Sequence, residues 1–208
     1  MSIITDLGEN VINTEEAAQK ASQNPEVLKE LVEGVLSHQD KERYDSFKVL
    51  LLLSEEHPEI VYPHWTDFKS MLISPSNNSQ SIAIHILANL TAVDSRNQFT
   101  SIFDSYFKIL EGDKTITAAF VAGDAWKIAR FKPELQSKVT DKLLDIDRIH
   151  RGKQKDLIKG HAIESFSHYY GEADTEDKKR ILAFVKQETA SHSPRTKKAA
   201  KDFLQEWE

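Results

Sequence analysis

The sequence predicts an all-α protein built from about five stacked helix pairs. One apolar position recurs as Leu50, Leu87, Trp126, Ile163 and Leu204, at spacings of 37, 39, 37 and 41 residues. The residue before it recurs as Val49, Ile86, Ala125, Ala162 and Phe203; three positions on stand Leu53, Leu90, Ala129, Phe166 and Trp207. These three columns share one side of an α-helix, and a fixed period of this length marks stacked supersecondary units. Only seven glycines and six prolines interrupt 208 residues, and no stretch reads as a strand.

Residues 1–24 read as an N-terminal extension that caps the repeats. Thr14 followed by Glu15 and Glu16 suits a short helix with an N-cap and acids in its first turn. Asn24-Pro25-Glu26 opens the first pair, 25–57, before Val27, Leu28, Leu31, Val32, Val35 and Leu36. Proline fits the first helical position because the N–H it lacks has no partner there. The second pair, 58–94, opens at His57-Pro58-Glu59 before Ile60, Val61, Trp65, Phe68 and Leu72. The third, 95–131, follows Asp94-Ser95-Arg96 and carries Phe99, Ile102, Phe103, Tyr106 and Leu110. The fourth, 132–173, opens at Lys132-Pro133-Glu134 before Leu135, Val139, Leu143 and Ile146. The fifth, 174–208, opens at Asp174-Thr175-Glu176 before Ile181, Leu182 and Val185. Polar turns at 37–41, 74–78, 111–114, 148–153 and 190–194 separate the helices within the pairs. The expected core comprises Leu31, Leu50, Leu53, Phe68, Leu87, Leu90, Phe103, Trp126, Val139, Ile163, Phe166, Val185 and Leu204.

Ser193-Pro194-Arg195-Thr196-Lys197-Lys198-Ala199-Ala200-Lys201-Asp202-Phe203-Leu204 has the order of a HEAT-repeat second helix: a proline turn, a basic residue, paired small residues and a leucine. Ser74-Pro75 leads into Ile82-Ala83-Ile84-His85-Ile86-Leu87 in a looser version, and Asp113 precedes Ala118-Ala119. Over residues 25–208 the chain resembles HEAT-repeat or armadillo-like proteins. The resemblance implies a right-handed α–α superhelix, a solenoid whose second helices line the concave side. Ala83, Ala122 and Ala200 sit at equivalent positions, where small side chains let helices approach closely.

Composition narrows the chemistry. The absence of cysteine excludes disulfides, zinc–cysteine sites and thiol catalysis. No apolar run reaches membrane-spanning length, and residues 1–12 carry acids but no basic residue, unlike a secretory signal. A cytoplasmic location is the expectation. Residues 1–125 hold 9 Lys+Arg against 19 Asp+Glu, and residues 126–208 hold 18 against 14. Such asymmetry bears on association rather than fold. Motifs for a zinc protease, a phosphate loop or a nucleophile elbow are missing.

One polar column runs through the second helices as Lys48, His85, Asp124, His161 and Asp202, with Lys127 and Glu164 three residues beyond Asp124 and His161. The column lies about 150° from the centre of the apolar stripe, which predicts solvent exposure on the concave side. His85 and His161, two repeats apart, should be separated by roughly 20 Å, too far to share a metal ion. These seven residues are the candidate partner-binding set; catalytic and metal-binding residues and cofactors are not predicted. Gly123 and Gly160 suit close helix packing. His64 and Asp67 suit a surface pair. Four consecutive leucines, Leu50–Leu53, wrap a full helix circumference, so Leu51 and Leu52 call for a cover, supplied by Ile3, Ile4, Leu7, Val11 and Ile12 or by a partner.

The resulting expectation is a non-enzymatic scaffold or adaptor for a protein or extended peptide, acting as a monomer or weak homo-oligomer. The alternative is a nucleic-acid-binding protein or a HEAT-like DNA glycosylase-type enzyme. Asp124 with Trp126 resembles the acid-and-aromatic pairing of alkylpurine DNA glycosylases, and the C-terminal half is basic. The acidic first half opposes a continuous phosphate-binding track.

Overall fold

The computed structural model describes residues 2–208, and every regular element among them is helical. They are α1 (Ile3–Gly8), α2 (Thr14–Gln23), α3 (Pro25–Gly34), α4 (Asp40–Glu56), α5 (Pro58–Val61), α6 (Trp65–Leu72), α7 (Asn77–Leu90), α8 (Gln98–Phe107), α9 (Thr115–Phe131), α10 (Gln136–Leu144), α11 (Ile146–Ile149), α12 (Lys155–Tyr169), α13 (Thr175–Glu188) and α14 (Pro194–Trp207). Short 3-10 turns join several of them. The chain divides into two compact units, Met1–Gln98 and Phe99–Glu208.

The recurring apolar positions lie on α4, α7, α9, α12 and α14, the second helices of the repeat pattern. In the first unit α3 and α7 pack on α4, α6 packs on α7, and α1 and α2 both lie against α3 and α4. In the second unit α9 packs on α12 and α12 on α14, while α10 and α13 form the layer of first helices. Two first helices are broken. A 3-10 turn at Tyr62–His64 separates α5 from α6, with Pro63, which has no N–H to donate, at the break. The Pro133–Leu135 segment also opens as a 3-10 turn before α10, rather than as the first turn of an α-helix.

Local chemistry explains the helix starts. Asn24 caps α3, accepting from the Glu26 N–H at 3.0 Å, with Pro25 at the first helical position. Asp174 caps α13, accepting from the Asp177 N–H at 2.8 Å. At α2 the cap is Asn13, one residue before the expected Thr14. Asn13 and Glu16 form a reciprocal capping box, with bonds of 2.8 and 3.2 Å. Helix α1 was not anticipated. It has under two turns and is held from outside, by Ile3 and Leu7 in the core and by Ser2 and Lys41 bonds to Glu30 and the Gly8 carbonyl. A Cβ on Gly34 would lie 2.7 Å from Ile4 and 2.2 Å from Ser46 Oγ, so α1, α3 and α4 meet where only glycine fits.

The −1 column, Val49, Ile86, Ala125, Ala162 and Phe203, is buried in all five repeats. Of the expected core, Trp126 and Leu204 are half-buried instead, and the other eleven residues are buried. Leu204 lies on α14, whose packing partners α12 and α13 cover one side of it. Trp126 keeps part of its large ring outside the helix interface. Ala83, Ala122 and Ala200 are fully buried. A Cβ on Gly160 would lie 2.6 Å from Thr196 Oγ1, which places this glycine at the α12–α14 crossing.

Candidate functional site

The polar column divides between the two units. In the first unit, Lys48 is half-buried on α4, 2.9 Å from Asp45, with its ammonium 5.1 Å from the centre of the Tyr44 ring. His85 is half-buried on α7 and stacks on Phe47 of α4, ring centres 6.0 Å apart. Beneath them, Asn89 donates to Ser54 Oγ at 2.8 Å, a buried bond that ties α7 to α4.

In the second unit the column is deeper than expected. Asp124 is buried, at 8% exposure, not solvent-facing. The reason lies in its flank: Val121 and Ile128, three residues before and four after, are fully buried. Packed against α12 and α10, α9 buries a wider arc than the apolar stripe suggests. His161 sits between fully buried Ile158 and Ser165 for the same reason and is half-buried. Asp202 is exposed, because α14 has neighbours on one side and the flanking Glu206 is exposed too.

Asp124 pairs with Lys127 at 2.9 Å, both side chains nearly buried. The Tyr106 hydroxyl is pushed well above the usual phenol range by burial and by the Asp124 charge. Lys127 lies 5.8 Å from the centre of the Trp126 ring, and Trp126 stacks on His168 with ring centres 4.5 Å apart. Ser165, fully buried between α9 and α12, donates to the Ala122 carbonyl at 2.6 Å and accepts from the Trp126 N–H at 3.3 Å. This hydroxyl sets the spacing at which Trp126 and His168 meet.

Glu164 accepts three bonds from the Arg195 guanidinium of α14, at 2.9, 3.0 and 3.2 Å. His161 Nδ1 lies 3.4 Å from both Glu164 and Arg195. Burial lowers the His161 pKa below 6.5, and the Arg195 charge lowers it further; Glu164 and Asp124 oppose them. The imidazole is therefore neutral at neutral pH. Asp202 pairs with Lys198 at 2.5 Å, away from this cluster.

The structure thus brings Asp124, Lys127, His161 and Glu164 onto adjoining helices, adds Trp126, His168 and Arg195, and leaves Asp202 apart. Arg195 was visible in sequence only as the basic residue after Pro194, and nothing there signalled its reach to Glu164, 31 residues away. His64 and Asp67 meet at 3.3 Å, as their i,i+3 spacing suggests.

No protein-family model and no curated protein sequence matches the chain. Solved structures do. An engineered protein of the Northeast Structural Genomics Consortium aligns over 99% of this chain and 96% of its own, with TM-score 0.57 and 14% identity. The designed armadillo repeat protein YIII(Dq)4CqI aligns over 92% and 90%, with TM-score 0.51 and 12% identity. The designed armadillo repeat protein YIII(Dq.V1)4CPAF, in complex with the peptide (KR)4, aligns over 94% and 91%, with TM-score 0.54 and 11% identity. These neighbours lend the nucleic-acid alternative no support. No helix among the described residues is long and apolar enough to cross a membrane. The chain has the all-α solenoid fold of armadillo and HEAT-like repeats.

Proposed function

We propose that the protein is a non-enzymatic binding module that holds an extended peptide or a protein segment against its second helices, with residues 1–24 as the cap of the repeat array. The observation that carries this reading is the surface shared by α9, α12 and α14. Trp126 on His168 and Arg195 on Glu164 present an aromatic stack and charges of both signs, held by partners before any ligand arrives, with the nearly buried Lys127–Asp124 pair adjoining Trp126. Prepaired side chains lose little freedom on binding. Mixed charge favours specificity over bulk attraction. One structural neighbour is in complex with the peptide (KR)4, which supports this reading.

Selection from a random peptide library tests the reading. Recovered peptides should bind the intact chain and lose affinity at least tenfold when Trp126 and Arg195 are replaced by alanine. Peptides that bind the double variant as tightly as the parent would contradict the proposal.

A further inference from the structure

Away from the second-helix surface, within the second unit, a cavity of about 490 Å³ opens at the turns of the third and fourth repeats. Its charged walls are Lys108, Lys142, Arg148 and Arg151, with Glu111 and Asp145. Four cations against two carboxylates leave a net charge of +2. The carboxylates are committed: Asp145 is held by Arg148 through both oxygens, and Glu111 lies 3.9 Å from Lys142. Lys108 is exposed, and its side chain has no hydrogen bond or ion pair among the described residues.

The frame is fixed. The Arg151 N–H donates to the Gly112 carbonyl at 3.0 Å, and Arg151 Nε donates to the Glu111 carbonyl at 2.9 Å. His150, buried at 2% exposure, bonds the Leu110 carbonyl through Nδ1 at 2.9 Å. Three bonds therefore clamp the 148–151 turn to the 108–112 turn, so the segments that carry Lys108, Arg148 and Arg151 are held side by side before any ligand enters.

We propose that this cavity binds a compact small molecule bearing several phosphate groups. Its volume lies within the range of small-molecule sites, about 300–1,000 Å³, and exceeds the need of one phosphate. Its one apolar wall residue, Ile149, offers no slot for a ring system. Phosphate oxygens accept from several Lys and Arg donors at once, which a lone carboxylate does less well. The site is independent of the peptide-binding surface.

Isothermal titration calorimetry of the full chain with inorganic tripolyphosphate, at low ionic strength, tests it. The expected result is saturable one-to-one binding. Lys108→Gln with Arg151→Gln should weaken it at least tenfold. Asp145→Asn, which frees Arg148 and removes a negative charge, should tighten it several-fold, a gain that simple damage to the fold cannot produce. His161→Ala should leave it unchanged. If the double variant loses its helical circular dichroism, Lys108→Gln alone carries the test, with a threefold loss expected. Absence of saturable binding, equal affinity in all variants, or binding only to a phosphoserine peptide or to anionic-lipid vesicles would overturn the proposal.

Discussion

The two units solve the same packing problem with different materials. The first, 1–98, carries 7 Lys+Arg against 15 Asp+Glu; the second, 99–208, carries 20 against 18. Each ties consecutive second helices with a buried hydroxyl, Ser54 in one and Ser165 in the other. Beyond that, the ion pairs described within the first unit join near neighbours along the chain, such as Lys48 with Asp45. The second unit links separate helices: Arg195 to Glu164, Arg180 to Asp141, and buried Lys159 to Glu188 at 2.7 Å. Burial alone would lower the Lys159 pKa, but its bonds to Glu188, Asp156 and Asp147 raise it, so the ammonium stays charged inside. Local pairs hold one helix straight, whereas distant pairs fix the register between helices. A face meant to present side chains at set spacings needs the second kind.

The comparison can be broken most severely at the first unit's edge. Ile3 and Leu7 of α1 are buried, and burial of such side chains contributes about 1.5–3 kcal/mol each. Deleting residues 1–24 should therefore cost roughly 3–6 kcal/mol, expose Leu51 and Leu52, and promote association. Chemical denaturation with light scattering checks this; an unchanged midpoint and a monomeric truncated chain would remove the capping role. Apolar truncations should then behave alike in both units. Leu87→Ala and Ile163→Ala, both at fully buried positions, should each cost about 2–5 kcal/mol in urea unfolding.

Polar truncation should separate the units. Lys159→Met leaves Glu188 buried without its partner and should cost about 3 kcal/mol. Adding Glu188→Leu should recover most of that loss, because an apolar pair needs no compensating charge. Lys48→Met in the first unit, where the pair is partly exposed, should shift stability by under about 1 kcal/mol. Thermal unfolding of the three variants decides whether the contrast holds.

The smallest effect concerns pH. In the folded protein the His161 pKa lies below its ordinary value of 6.5, so the unfolded chain binds the proton more readily. Stability should rise with pH through the window just below 6.5 and be lost as pH falls through it. His161→Gln should flatten that slope in denaturation curves taken between pH 5 and 7.

Much of the fold was legible in the chain because its period is physical. Leu50, Leu87 and Ile163 recur where a second helix meets its neighbours, and all are fully buried. The depth of the polar column was not legible. Asp124 looks exposed when angles are measured from one apolar stripe, yet α9 packs against α12 and α10, and Val121 and Ile128 draw that flank inward. The pairing of Arg195 with Glu164 likewise depends on where α14 crosses α12, at Gly160 and Thr196. Sequence spacing states which residues share a helix face, but the neighbours of that face decide its depth. The short α1 escaped notice because its stability comes from contacts with α3 and α4 rather than from its own pattern.

The central claim is that the α9–α12–α14 surface is where a peptide binds. The most direct measurement is ¹H–¹⁵N NMR of the full chain titrated with a library-selected peptide. The account predicts shifts of the Trp126 indole and of the Lys127, His161, Glu164 and Arg195 amides, with the buried Trp65 indole unmoved. Shifts confined to other faces, with the Trp126 indole unmoved at saturation, would contradict it.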